Sequence, residues 1–177
     1  MHTGTSRGRF NTLTGWRKAW LPVGLVVGIW GLHVIGSYLW IKAQGNMLMG
    51  WDPVGHLMRT LAYYDILQSI SPSAWLQALA LDSFRPPFFH LCTVLMYRLF
   101  GVSAQVAVMT TFPFLLVLLL AVYGIGKRVA SPAVGVLAAL LTSVFPLTFA
   151  LTRAFYMDLA LAALVSASVY LLLQIDG

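Results

Sequence analysis

The sequence predicts an all-α, polytopic membrane bundle: about four transmembrane helices and an outer loop that carries interfacial, juxtamembrane helices. Three observations predict it. Four stretches, 21–41, 104–126, 131–152 and 159–175, are free of Asp, Lys and Arg, and each is close to the length that crosses about 30 Å of hydrocarbon. Hydrophobic residues make up 59% of the chain and charged residues only 9%, with a mean hydropathy of +0.83. A soluble domain carries about a quarter charged residues, and in water this chain would expose more apolar surface than a monomer tolerates. Finally, the basic residues stand singly or in pairs at the ends of the apolar runs, where topology determinants belong.

The net charge of +6 therefore does not point to nucleic acid, which calls for a basic stripe along one face. It suits cations that meet anionic lipid on the cytoplasmic side. The first run, 21–41, is longer than the roughly 7–15 apolar residues of a cleaved signal. Ala43-Gln44-Gly45 is a poor small-x-small cleavage site, so the run reads as an uncleaved anchor. Residues 1–18 are then a cytoplasmic basic tail and 19–177 the membrane domain of a multi-pass inner-membrane protein. Cys92 is the one cysteine, so no internal disulfide can form.

The run 87–97 decides the topology. If it crossed, Lys127 and Arg128 would face outward. If it stays at the surface, Arg7, Arg9, Arg17, Lys18, Lys127 and Arg128 all lie inside, with Lys42, Arg59, Arg85, Arg98 and Arg153 spread thinly outside. The positive-inside rule selects the second arrangement. Residues 42–103 then form an outer loop too apolar to float in water. Asp52-Pro53 and Ser71-Pro72 carry the N-cap and first-turn proline signature of helix starts. A third helix starts after Pro86-Pro87 and ends near Gly101. Val54, Leu57, Met58 and Leu61 mark the predicted apolar face of the first outer helix, and Trp75, Leu76 and Leu79 that of the second. Trp51, Tyr63, Tyr64 and Trp75 suit headgroup depth. Gly24 and Gly28 form a GxxxG pair, a pattern that permits close helix packing.

Few residues are available for chemistry. All five acids are aspartates: Asp52, Asp65, Asp82, Asp158 and Asp176. On its plain reading Asp52 caps a helix, worth about 1 kcal/mol. On the chemical one it is a carboxylate at the membrane face, available as a base or a metal ligand. His56 follows one helical turn later on the same side. Arg153 and Asp158 interrupt the apolar run before the last crossing, where charges need a partner or a function; the plain reading is that they compensate each other. Arg85 precedes Pro86-Pro87, a stiff turn from which a guanidinium can hold a phosphate bidentately or lie along the surface. His33 and His90 read as packed histidines, and Asp65 and Asp82 as solvated or cap residues. There is no Gly-rich phosphate loop, Walker motif, Cys/His cluster or Gly-x-Ser-x-Gly elbow, so a soluble nucleotide-dependent enzyme has no support.

The order of these pieces resembles a known group. A basic tail and one crossing lead to an outer-loop aspartate and interfacial helices. Then come Arg85-Pro86-Pro87, an aromatic run ending Leu99-Phe100-Gly101, the Gly126-Lys127-Arg128 turn, and Phe145-Pro146 leading to Thr152-Arg153-Ala154-Phe155-Tyr156-Met157-Asp158. From about Trp20 onward the chain resembles the N-terminal part of the GT-C type membrane glycosyltransferases, close to the dolichyl-phosphate-mannose protein mannosyltransferase and aminoarabinose transferase-like superfamily. The resemblance implies transfer of a sugar from a polyprenyl-phosphate donor to an acceptor at the outer membrane face. It implies catalytic roles for Asp52 and Asp158, as base or metal-site residues with a divalent metal ion as the candidate cofactor. Arg85 matches a basic position that contacts the lipid phosphate; charge and position extend that role to Arg153, and place His56 beside Asp52 as a further substrate or metal contact. Where many members carry a second acid after the first, this chain has Pro53. Such enzymes are also much longer, so the expectation is an N-terminal piece of one.

The competing expectation is a small four-helix membrane scaffold or transporter subunit, which would place polar residues at mid-membrane depth between helices. The crossings are mostly apolar there, with His33 and a few Ser and Thr as exceptions, which favours the enzyme. The expected partners are the bilayer and the lipid-linked donor, with no nucleic acid.

Overall fold

The computed structural model describes residues 10–44 and 51–175. Arg7, Arg9 and Asp176 lie outside the described residues, as does the first half of the expected basic tail. All regular structure among the described residues is helical. Helix α1 (Phe10–Gln44) contains the first apolar run. Three shorter helices follow: α2 (Trp51–Ile66), α3 (Pro72–Ala80) and α4 (Phe88–Phe100). Next come α5 (Ala104–Met109), α6 (Thr111–Val129), α7 (Pro132–Val144), α8 (Pro146–Leu151) and α9 (Asp158–Ile175).

Three segments are long and apolar enough to cross a membrane: Trp20–Gln44, Ala104–Val129 and Asp158–Ile175. The chain is a helical membrane bundle. The expected crossing at 131–152 is not one helix. Phe145 takes an extended conformation (φ −63°, ψ 132°) and Pro146 starts a new helix, because proline has no N–H to donate and disfavours helix in the residue before it. This leaves α7 with 13 residues, a rise of about 20 Å. Helix α4 is equally short, and its C-terminus falls at Gly101, whose φ of +88° a side chain would resist. The Ser71-Pro72 start is also observed, with the Ser71 hydroxyl accepting from the Ala74 N–H at 3.2 Å.

Helix α6 is the hub, packed against α7, α9 and α1. Glycines let the backbones close up. A Cβ on Gly126 would stand 2.8 Å from Gly135 Cα, and one on Gly124 would stand 2.3 Å from the Tyr170 ring, the small-residue packing that membrane helices use. The Gly24/Gly28 pair plays no such part; a Cβ at either would meet nothing within 4 Å. The spacing was right for packing, but that face of α1 has no neighbour among the described residues.

The helices run so that the bundle has two ends. Trp30 Nε1–H donates to the Phe112 carbonyl at 2.9 Å, and Tyr170 of α9 lies over Gly124 of α6. At one end lies the Lys127-Arg128 turn. At the other gather the C-terminal half of α1, the α2–α4 layer and the 152–157 loop that leads into α9. Within the α2–α4 layer the buried faces differ from those expected. Helix α2 buries Pro53, His56, Thr60 and Tyr63, and of its expected apolar face Leu57 and Leu61 pack half-buried against the core while Val54 and Met58 point outward. Helix α3 buries Ala74 and Ala78 and turns Trp75, Leu76 and Leu79 out. The largest apolar side chains of α3 therefore face the surroundings, as they would on an interfacial helix, and the most buried positions of α2 include the polar His56, Thr60 and Tyr63. Tyr63, expected at headgroup depth, is fully buried.

Candidate functional site

The inward seam of α2 meets α4. The Thr60 hydroxyl donates to the His56 carbonyl at 2.9 Å and stands 2.7 Å from His90 Nδ1. Its proton being used on the carbonyl, the hydroxyl accepts from His90 Nδ1–H, which leaves His90 Nε2 as a bare acceptor. His90 Nε2, His56 Nδ1 and the Tyr63 and Tyr97 hydroxyls are all buried without a protein partner. The His56 and His90 rings lie 5.5 Å apart, Tyr63 stacks on His90 at 5.5 Å, and Phe155 meets His56 edge-on at 6.5 Å. Burial holds His90 down to about 4, with the His56 and Arg59 charges adding to it. His90 is packed, as its sequence context predicts, and His56, expected as a substrate or metal contact, is buried beside it; each keeps an open nitrogen.

His56 reports where the expected site residues are. Its pKa is lowered, first by burial and then by Arg85 and Arg59, while Asp52 and Asp158 pull the other way. Residues from three distant parts of the chain thus lie within electrostatic reach of one imidazole. Asp52 sits in the first turn of α2 and Asp158 in the first turn of α9, each at the positive end of a helix, and both are exposed. Helix α2 begins at Trp51, so Asp52 lies inside the helix as assigned.

Arg85 is half-buried, and its turn is fixed by a residue the sequence reading set aside. Asp82 is neither freely solvated nor a helix cap. Its Oδ1 accepts from the N–H groups of Phe84 at 2.9 Å and Arg85 at 3.2 Å. Its Oδ2 lies 2.7 Å from Arg59 Nε of α2, with the Asp82 side chain only 9% exposed. The two backbone N–H bonds hold the Asp82 carboxyl below its usual range, and Arg59 and Arg85 act in the same direction. The Asp-x-x-Arg spacing before two prolines was a readable signal of this turn; nothing local announced Arg59 as its partner.

Arg153 is not part of this group. It is absent from the charges that act on His56, and it makes no ion pair with Asp158; among the described residues the ion pair is Arg59–Asp82. Its Nε–H donates to Ser37 of α1 at 3.4 Å, and its guanidinium lies 3.3 Å from the Phe149 ring centroid and 5.4 Å from that of Trp40. Nearby, His33 bridges the α7–α8 break, with Nδ1 3.1 Å from the Ser143 hydroxyl and Nε2 2.7 Å from that of Thr152. No three His, Cys, Asp or Glu side chains among the described residues are placed to hold a metal ion together. Asp52, Asp158 and His56 therefore do not form a ready ligand set.

The arrangement is two exposed carboxylates and a stiffly presented arginine around a buried imidazole, at one end of a membrane bundle. That donor set suits proton removal beside an anionic group. The protein-family model for dolichyl-phosphate-mannose-protein mannosyltransferase matches residues 84–175, a span that holds Arg85, Arg153 and Asp158. No curated protein and no solved structure matches the chain. With just over half its length matched, the chain belongs to the dolichyl-phosphate-mannose-protein mannosyltransferase family, membrane glycosyltransferases that draw the sugar from a lipid-linked donor.

Proposed function

We propose that the chain serves transfer of a sugar from a polyprenyl-phosphate donor to an acceptor hydroxyl at the outer membrane face, with Asp52, Asp158, Arg85 and His56 around the reacting atoms. The observation that carries this reading is the convergence of Asp52, Asp158 and Arg85 on His56. In the reaction the acceptor oxygen attacks the anomeric carbon, and its proton passes to Asp52. The bond from that carbon to the phosphate oxygen breaks, and the electron pair leaves on the phosphate. Arg85 pairs with the charge that develops there. Asp158 faces the sugar and balances the positive charge that builds on its ring in the transition state. His56 is held neutral and offers a hydrogen bond to the donor without adding charge.

Asp82 and Arg59 hold the turn that presents Arg85, and so set the distance between cation and carboxylates. The scaffold or transporter-subunit reading finds some support in the His33–Ser143–Thr152 contacts between helices, the mid-depth polar placement such a protein would use. Those contacts also brace the broken helix next to Asp158, which an enzyme equally requires.

Two measurements test the proposal. In membranes carrying the enzyme, Asp52→Asn is expected to lower transfer about 10²–10⁴-fold, the usual weight of a positioned proton acceptor, while insertion is unchanged. Wild-type turnover would remove Asp52 from the mechanism. For topology, Cys92 is replaced by Ser and single cysteines are placed at Trp51 and Met157. Both should react with a membrane-impermeant maleimide on intact cells, and labelling of one alone would end the reading.

A further inference from the structure

An arginine at a membrane boundary carries a large desolvation cost unless something anionic meets it. Arg153 is half-buried, and the described residues give it aromatic faces and one serine but no carboxylate. The Phe149 ring covers one face of the guanidinium at 3.3 Å. The Nη groups have no acceptor among the described residues, and their fork geometry matches two phosphate oxygens.

Directly beside this cation lies a cavity of about 610 Å³. It exists because α7 stops at Pro146, and Ile29, Leu32, Leu140, Val144, Pro146 and Phe149 line it. Phe149 is shared: its ring lines the cavity and also carries the Arg153 guanidinium. The cavity runs along α1 from His33 back to Ile29, about 6 Å along the helix, and Ser37, which holds Arg153, lies one turn beyond it. At its floor the polar atoms of His33 and Ser143 are bonded to each other and make little demand on an occupant. A cation at the top and an apolar trough below it form the complement of one anionic lipid molecule.

We infer that the groove between α1 and the broken α7–α8 segment is a binding site for an anionic glycerophospholipid, with its phosphate on Arg153 and one acyl chain in the trough. The lipid-linked donor is the less suitable occupant, because Arg153 stands outside the charges that surround His56. A donor phosphate at Arg153 would hold its sugar away from Asp52 and Asp158. The bound lipid completes the boundary cation and fills the gap left by Pro146, bracing the loop that leads to Asp158. Basic pockets between membrane helices take such headgroups in the same way. The choice of this lipid over the donor rests on the catalytic placement proposed above, whereas the cation and the trough themselves do not.

The test uses the purified chain in phosphatidylcholine nanodiscs with and without phosphatidylglycerol, followed by native mass spectrometry of the lipid that stays bound. Wild type is expected to retain phosphatidylglycerol about fivefold over phosphatidylcholine, the weight of one interfacial arginine on an anionic lipid. Arg153→Gln should reduce this to parity, whereas Arg128→Gln, at the opposite end, should leave it unchanged. If Arg153→Gln fails to fold, Leu140→Trp, which fills the trough and keeps the cation, should lower retention of both lipids. Equal retention of the two lipids by wild type overturns the inference, as does a preference that survives in Arg153→Gln or unchanged retention in Leu140→Trp. Displacement of phosphatidylglycerol by stoichiometric polyprenyl phosphate would also overturn it, and would assign the groove to the donor.

Discussion

Two buried histidine clusters, one in the membrane core and one in the α2–α4 layer, differ in how they are completed. His33 has a hydroxyl on each ring nitrogen, Ser143 on one side and Thr152 on the other. His56 and His90 each keep one nitrogen buried and without a partner, and the Tyr63 and Tyr97 hydroxyls beside them are equally open. Buried polar groups are nearly always satisfied, and each exception calls for an explanation. A closed cluster is a brace, and an open one next to five charged side chains, Asp52, Arg59, Asp82, Arg85 and Asp158, is where a substrate or water can enter. The difference separates structure from site more sharply than residue type, since both clusters are built from the same imidazoles, hydroxyls and aromatic rings.

The largest way to break the comparison is to titrate it. His90 has a folded value of about 4 against about 6.5 unfolded. Its folded value is depressed, so between these limits the unfolded chain takes up a proton that the folded chain refuses. Stability is therefore full above about pH 6.5 and falls as the pH drops toward 4, by about 3 kcal/mol in total. His56, Arg59 and Arg85 repel that proton and Asp82 attracts it. His56 is itself lowered and adds to the slope in the same direction. Thermal unfolding in detergent between pH 7.5 and 4.5 should show this fall in the wild type and a flatter profile in His90→Gln. An identical slope in the two proteins would mean that His90 is not the buried, proton-refusing group described here.

A smaller effect is expected at the brace. His33→Ala removes the link between Ser143 and Thr152 and leaves both hydroxyls to find other acceptors, at a cost of about 2 kcal/mol. If the cluster is purely structural, the transition midpoint falls while turnover per folded molecule is retained. A variant with unchanged midpoint and lost turnover would move His33 from brace to site and erase the distinction.

Much of the fold was legible in the sequence because its signals are local or periodic. Hydropathy marks the membrane runs, Ser71-Pro72 and Gly101 mark helix ends, and Phe145-Pro146 stood in plain view as a break, although it was read only as part of a resemblance. The faces of α2 and α3 were not legible. In a soluble protein the apolar stripe of a helix turns inward, but here Met58, Trp75 and Leu76 turn out and His56, Thr60 and Tyr63 turn in, the pattern expected of helices whose outer face meets lipid. Asp52, Asp158 and Arg85 stood out in the sequence as candidates by residue type, and the structure brings all three within electrostatic reach of His56. The Asp82–Arg59 pair was missed because its two members come from separate elements, and the plain Arg153–Asp158 compensation does not form because the Arg153 side chain turns to α1 despite the short chain distance.

The smallest expected effect tests the same point on glycines. Gly24 and Gly126 both sit in membrane helices, and the sequence favoured the first as a packing residue. Gly24→Ala adds a methyl where nothing lies within 4 Å, so the expected change is within about 0.5 kcal/mol, and relief of the glycine's unfolded-chain entropy favours a slight gain. Gly126→Ala places a Cβ 2.8 Å from Gly135 Cα, and since both partners are backbone, α6 and α7 must separate to admit it, at roughly 1–3 kcal/mol. Parallel thermal scans of the two variants decide the matter. Equal midpoints would show that α6 and α7 can part without cost, and the close crossing that carries the chain from the Lys127-Arg128 end back toward Asp158 would lose its role in setting where the 152–157 loop lies.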